Sequence, residues 1–309
     1  MDPAVGEKEE GSQPQGAVVI DGKALAQGLR HKIAQTVGEW IRQGRRPPAL
    51  SVVQVGEIPA STTYVSHKVR ACRECGIRSE HIRLPATVSQ QELIAAVDQL
   101  NRDPEVDGII VQLPLPDHID PHAVSWAIDP EKDVDCLHPE NFGLLAKGTP
   151  RFVSCTPRGI LHALTEYRVP IEGAHVVVIG RSLIVGRPLA LLMLSRSATV
   201  TICHSRTRDL PTLTRQADIL VSAVGRPGLI GPEMVRPGAA VVDVGITQIE
   251  VEEGGRKRKR LVGDVKFEEV RSVAGWITPV PGGVGPLTVA MLLLNTLDAY
   301  RMREGLAKK

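Results

Sequence analysis

In the stretch STTYVSHKVR, residues 61–70, a tyrosine and a lysine stand four apart, Tyr64 and Lys68. On a helix that spacing sets a phenol and an amine on one face. They could be a solvated surface pair, or acid–base groups aimed at a substrate. A second stretch with chemical content is VVVIGRSLIVGRP, residues 176–188. It reads as a strand, a glycine turn and a helix start. Gly180 suits the tight turn, Gly186 allows close packing, and Pro188 suits a first helical turn. Amides exposed at such a start bind a pyrophosphate. The middle glycine of the usual G-x-G-x-x-G is replaced by Ser182, so strand–turn–helix packing without a ligand remains the alternative.

The next strand discriminates between dinucleotides. Where an acid would hold the ribose hydroxyls of NAD, it ends CHSRT, with His204, Ser205 and Arg206 and no carboxylate. Arg181 lies in the turn itself. Hydroxyl and guanidinium groups hold a 2′-phosphate that an aspartate would repel, which favours NADP. A Tyr-x-x-x-Lys pair also serves in short-chain dehydrogenases, but there it follows the dinucleotide turn. Here it precedes that turn by more than a hundred residues. That order implies two lobes, one bringing cofactor and the other acid–base chemistry.

The elements that must position these groups alternate. Asp21 can cap a helix carrying Leu25, Leu29, Ile33, Val37 and Ile41 at helical spacing. ALSVVQVG reads as a buried strand, STTYVSHKVRACREC as a helix, and the region around Ile82 as a short strand. Ser89 and Glu92 form a capping-box pair ahead of the next helix. VDGIIVQLPLP is a strand ended by prolines. A second α/β series runs from CTPRGILHALTEY through AHVVVIG, ATVTICHS, DILVSAVG and AAVVDVG, interrupted by EVEEGGRKRKRLVGD, an expected exposed hairpin or loop. The chain closes on a long apolar helix in GPLTVAMLLLNTLDAYRMRE. Its apolar length needs cover, which the first lobe can provide. Strands alternating with helices imply α/β architecture with parallel sheets covered on both faces. The expected fold is an N-terminal α/β domain, a C-terminal Rossmann-type doubly wound domain, and a cleft between them.

Composition narrows the function classes. A chain of 309 residues suggests about two domains. Its formal net charge of +2 offers no basic surface for nucleic acid, and no apolar run reaches the roughly 18 residues that span a bilayer. The first 16 residues are polar, lack a signal-peptide core and read as a disordered tail on a cytoplasmic protein. Five scattered cysteines do not make a disulfide framework. Cys72 and Cys75 form a lone C-x-x-C that reads as small apolar side chains rather than a metal site.

The stretches YVSHK (64–68), DGIIVQLPLP (107–116), KDVDCLHPENFG (132–143), CTPRG (155–159), GRSLIVGRP (180–188), CHSRT (203–207), VVDVGI (241–246) and ITPVPGGVGPLTVAMLLLNT (277–296) run in one order along nearly the whole chain. Together they resemble the bifunctional methylenetetrahydrofolate dehydrogenase/methenyltetrahydrofolate cyclohydrolase (FolD) family. The resemblance implies NADP-dependent oxidation of 5,10-methylenetetrahydrofolate, then hydrolysis of the methenyl product to 10-formyltetrahydrofolate. It implies Lys68 as the central acid–base group, Gln112 as its partner, Tyr64 aligning the folate and Asp135 binding the pterin edge. Val65, Ser66, His67, Val111 and Leu113 would flank them, and Pro281, Gly282, Gly283, Val284 and Gly285 would wall the pocket. Gly180, Arg181, Ser182, Ser205 and Ile246 would contact cofactor. The implied domains are 17–156 with 286–309 for folate and 157–285 for NADP. No metal is implied, and a homodimer joined through the cofactor lobe is. Cys136 replaces a usual glycine and Ser154 a usual proline; a left-handed backbone at 136 would strain a cysteine. Two other readings stay open: a dehydrogenase lacking the hydrolytic step or using NAD, and an inactive folate- and nucleotide-binding protein.

Overall fold

The structure is a computed structural model that describes residues 16–57, 59–253 and 256–306. Most of the expected tail lies outside the described residues.

The chain opens with β1 (Val18–Val19), α1 (Gly22–Arg42), β2 (Ala49–Val55), α2 (Pro59–Glu74) and β3 (Arg78–Leu84). α3 (Gln90–Arg102), β4 (Gly108–Val111), α4 (Pro121–Ala127), α5 (Pro139–Ala146) and α6 (Cys155–Glu166) follow. The second series is β5 (His175–Ile179), α7 (Gly186–Leu194), β6 (Thr199–Cys203), α8 (Leu210–Thr214), β7 (Ile219–Ser222) and β8 (Ala240–Asp243). Last come the hairpin β9 (Thr247–Glu253) and β10 (Arg256–Val262), α9 (Phe267–Val270), β11 (Trp276–Ile277) and α10 (Val284–Arg303).

Three strands, in the order β3-β2-β4, form the first parallel sheet, and six, β1-β11-β8-β7-β5-β6, form the second. In each, the chain leaves a central strand to one side and then the other. That reversal opens a crevice outside the carboxyl ends of the strands, where ligands of α/β proteins bind. β2 and β4 are buried along their whole length, as strands covered on both faces must be.

Local signals in the sequence act as expected. Asp21 accepts from the Ala24 amide at 2.9 Å to start α1. Ser89 and Glu92 exchange the two bonds of a capping box at α3. Cys72 lies buried in α2 and Cys75 just past its end, both as free thiols. The stretch after β8 is a hairpin, with Lys257 opposite Glu252 and Lys259 opposite Glu250.

Two expectations need correction. Ile41 is 47% exposed and does not extend the α1 stripe. Steps of four residues drift by about 40° each around a helix, so after Val37 the inward position passes to Trp40, which packs on Tyr300 with ring centroids 5.0 Å apart. The expected folate domain takes in the start of the chain, yet Val18 and Val19 pair with Trp276 and Ile277 at the edge of the six-stranded sheet.

α10 is apolar around most of its circumference and is correspondingly buried. It packs on α1, α2 and α6, while its first residue, Val284, is buried in the core of the second series, so it joins both series. Near its end, Tyr300 donates to the Arg46 carbonyl at 2.9 Å. Arg46 forms a two-pronged pair with the fully buried Asp107, at 2.7 and 2.8 Å, and Asp107 also accepts from the Ala49 amide at 2.8 Å. Asp107→Ala strands the guanidinium and that amide, and is expected to lower unfolding free energy by about 3 kcal/mol. Urea denaturation reads this directly; a loss under about 1 kcal/mol would show that Glu304 and Glu105 replace the partner.

Candidate active site

Tyr64 and Lys68 sit one turn apart on α2 and both line a cavity of about 440 Å³. The Lys68 ammonium donates to Gln112 Oε1 at 3.0 Å. Gln112 follows β4 directly; its amide extends the ladder to the Val53 carbonyl, and its Nε2 donates to the Leu113 carbonyl at 2.7 Å. The carboxamide is thereby oriented with its oxygen towards the amine. Burial pushes the Tyr64 phenol up, so it remains a neutral donor near pH 7.

The two aspartates of KDVDC have different tasks. Asp133 is buried and accepts from the amides of Leu137 and His138 and from Asn141 Nδ2, at 3.1, 2.8 and 2.9 Å. Burial raises its pKa, and those three bonds, which favour the charged form, oppose the rise. Its carboxylate is the hub of the turn. Asp135 is partly exposed and lines the cavity. Cys136 follows with φ of +61°, the left-handed conformation that a glycine would adopt without strain, and its thiol donates to the Phe152 carbonyl at 3.4 Å. At Ser154, the other departure, the hydroxyl is buried without a hydrogen bond and does not cap α6.

The opposite wall comes from the second series: Ile184 and Val185 of the glycine turn, and Val244 and Ile246 beyond β8. The β8 turn is held by the buried Asp243, which accepts from the amides of Gly245, Asp264 and Val265 at 2.9–3.0 Å; burial pushes its carboxyl up to about 6. α10 closes the cavity with Val284, Gly285, Thr288, Val289 and Leu292. One amine, one carboxylate, one carboxamide and one phenol thus face a largely aliphatic space, which suits a flat conjugated ring with a polar edge.

The structure gathers Tyr64, Lys68, Val111, Gln112, Leu113, Asp135, Ile246, Val284 and Gly285 around this cavity. It separates others from it. Val65 is fully buried in the core beneath α2, one residue and about 100° around the helix from Tyr64. Ser66 and His67 are exposed, and the Ser66 hydroxyl donates to the Thr62 carbonyl. Pro281, Gly282 and Gly283 do not line it either. The Lys23 amide donates to the Gly282 carbonyl at 2.9 Å, and a Cβ on Gly22 would meet the Gly283 oxygen at 1.8 Å, so this loop packs on the start of α1. Sequence reasoning missed Cys155, Thr156, Thr288 and Leu292 as lining residues. They lie in CTPRG and PLTVAMLLL, stretches already singled out, but only the crossing of α6 and α10 turns them towards the cavity.

The dinucleotide turn has its own geometry. Gly180 has φ of +123°, and a Cβ there would sit 2.6 Å from the Ala223 carbonyl oxygen. The Ser182 hydroxyl accepts from the amides of Val185 and Gly186 at 3.1 and 3.3 Å. The serine at the middle position therefore caps α7 itself, and these two amides are already partnered. Ser205 and Arg206 are exposed just past β6, beside Gly180, whose amide bonds the Cys203 carbonyl. Glycines where side chains cannot fit, at a strand–turn–helix, suit the close approach of a dinucleotide. Among the described residues no group of three or more His, Cys, Asp or Glu could hold a metal ion, and no helix is long and apolar enough to cross a membrane.

A three-stranded α/β lobe carrying acid–base groups and a Rossmann lobe carrying a dinucleotide turn, with one cavity walled by both, define a two-lobed nucleotide-dependent enzyme. Residues 20–135 match the catalytic domain, and residues 154–304 the NAD(P)-binding domain, of tetrahydrofolate dehydrogenase/cyclohydrolase. The chain belongs to this bifunctional family. It is 52% identical over 285 residues to the bifunctional protein FolD of Exiguobacterium sibiricum, an alignment spanning 92% of this chain and 100% of that one. The crystal structure of the FolD dehydrogenase/cyclohydrolase from Campylobacter jejuni superposes with a TM-score of 0.88 at 44% identity, over 93% of this chain and 99% of the other. The Trypanosoma brucei enzyme, crystallised with NADP and an inhibitor, matches equally well at 0.88 and 44%, over 93% and 98%.

Proposed function

We propose that this chain oxidises 5,10-methylenetetrahydrofolate with NADP and hydrolyses the resulting methenyl compound to 10-formyltetrahydrofolate, in one cavity. The observation that carries the reading is the Lys68–Gln112 hydrogen bond, 3.0 Å, inside a space walled by both lobes. Family membership and the relatives above support it.

A bound nicotinamide would supply the hydride acceptor, and the two nitrogens flanking the donor carbon would stabilise the cation through their lone pairs. The chain's part in this step is to position. Ile184, Val185, Val244 and Ile246 give the ring an apolar bed, Tyr64 covers the folate, and the Asp135 carboxylate accepts from the donor edge of the pterin. Hydrolysis needs protons moved between an attacking water and a ring nitrogen. Lys68 carries them, and Gln112 keeps the amine aimed.

Absorbance tests the whole reading. Adding methylenetetrahydrofolate and NADP+ is expected to give NADPH absorbance, with a methenyl band that then decays. Absence of reduction with either NADP+ or NAD+ would leave a binding protein without turnover.

For the cofactor, Ser205 and Arg206 supply the 2′-phosphate contacts at a strand end that carries no acid. Ser205→Asp is expected to move the NADP+/NAD+ ratio of kcat/KM about 100-fold towards NAD+, as repulsion replaces a hydrogen bond. An unchanged ratio would place the phosphate elsewhere. The family resemblance also supports a homodimer joined through the cofactor lobe; a sedimentation mass of one chain would exclude it.

A further inference from the structure

We propose that Asn295 is a positioning residue that sets the aim of Asp135; the inference rests on the pterin-binding role just given to that carboxylate. Asn295 lies in the middle of α10 and is fully buried. Its Nδ2 donates to the carbonyls of Val134 at 2.7 Å and Val153 at 2.9 Å, and meets Cys155 Sγ at 3.6 Å. Its Oδ1 accepts from the Arg158 guanidinium. Arg158 is itself anchored on Asp298, one turn further along α10, at 3.0 Å. Arg158 therefore fixes which way the carboxamide faces, and the carboxamide fixes two backbone segments at once.

The Val134 carbonyl belongs to the peptide that leads into Asp135, so holding it holds the plane from which the aspartate side chain departs. The Cys155 thiol adds a second hold. It donates to the same Val134 carbonyl at 3.5 Å and lines the cavity together with Asp135. On the far side, the left-handed turn at Cys136 is tied to Phe152. Asp135 thus stands between two fixed peptides, one governed by Asn295. Hydrogen bonds weaken steeply off-line, so a carboxylate that receives two donors depends on this control. Asn295 does not line the cavity, so its influence passes through its neighbours.

The test compares steady-state constants for Asn295→Leu, which keeps the branching and heavy-atom count and removes both polar groups, with those of the wild type. KM for methylenetetrahydrofolate is expected to rise about tenfold, with kcat within about twofold and KM for NADP+ unchanged. Arg158→Met, at a partly exposed position where Asp298 keeps Arg301 as partner, is expected to shift folate KM about threefold in the same direction; it carries the test should Asn295→Leu fold poorly. In an Asp135→Ala background the Asn295 change is expected to add nothing to folate KM, whereas a general loss of packing would add fully and raise both KM values. The proposal falls if folate KM is unmoved in Asn295→Leu, or in Arg158→Met should that variant carry the test, while Asp135→Ala raises it. It falls as well if the effects add. Should Asp135→Ala itself leave folate KM unchanged, the pterin role of Asp135 is lost and the inference goes with it.

Discussion

Lys68→Met is expected to stop hydrolysis of the methenyl compound while NADP+ reduction continues and both ligands bind. Methionine keeps the unbranched stem that packs along α2, so neither the helix nor the cavity wall changes shape. What disappears is the group that carries protons. Positioned acid–base catalysis contributes about 10²–10⁴-fold, so the hydrolytic rate should drop by about 10³-fold. Hydride transfer moves no proton through Lys68, and Gln112 keeps its bond to the Leu113 carbonyl. The spectrum should therefore show NADPH forming and the methenyl band accumulating rather than decaying. Hydrolysis within about tenfold of wild type would remove Lys68 from the mechanism.

Gly186→Ala is expected to lower NADP+ affinity by at least about 100-fold and to reduce thermal stability. A Cβ at 186 would stand 2.1 Å from the Gly180 oxygen, 2.6 Å from its carbonyl carbon and 2.9 Å from the Arg181 Cα. All three are backbone atoms, so no rotamer change relieves the clash. Either α7 retreats from β5 or the turn opens. Both break the bonds from the Val185 and Gly186 amides to Ser182 and displace the surface offered to the phosphates. Gly28→Ala is the control. It lies in α1 with nothing within 4 Å of its would-be Cβ, and alanine there should be neutral or stabilise by up to about 1 kcal/mol. Wild-type NADP+ affinity in Gly186→Ala would show that the turn does not approach the cofactor.

What the sequence could and could not reveal follows the range of the forces involved. Caps at Asp21 and Ser89, the buried run of β2 and the i, i+4 pair on α2 depend on residues a few positions apart, and all were readable. Lys68 and Gln112 lie 44 residues apart, and their meeting followed from the family resemblance, not from any local pattern. The resemblance implies Val65 beside the substrate; the structure turns it into the core beneath Tyr64, because a helix sends neighbours to different faces. The resemblance implies the glycines at 282 and 283 as a wall of the pocket. The structure packs Gly283 on Gly22 and Gly282 on the Lys23 amide, from the other end of the chain, and no periodicity announces such contacts. Asn295 was hidden for the same reason: an asparagine in an apolar helix has no visible partner until α6 and the 134–135 turn are brought against it.

The edge pairing of Val18–Val19 with Trp276–Ile277 has a consequence for vectorial synthesis. The first residues to leave the ribosome among these strands must wait for the last strand to be translated before they find their place. The three-stranded lobe waits too, since α10 is the cover for α1 and α2. Neither lobe is complete until β11 and α10 have been made, so the segments that finish both come late in the order of synthesis.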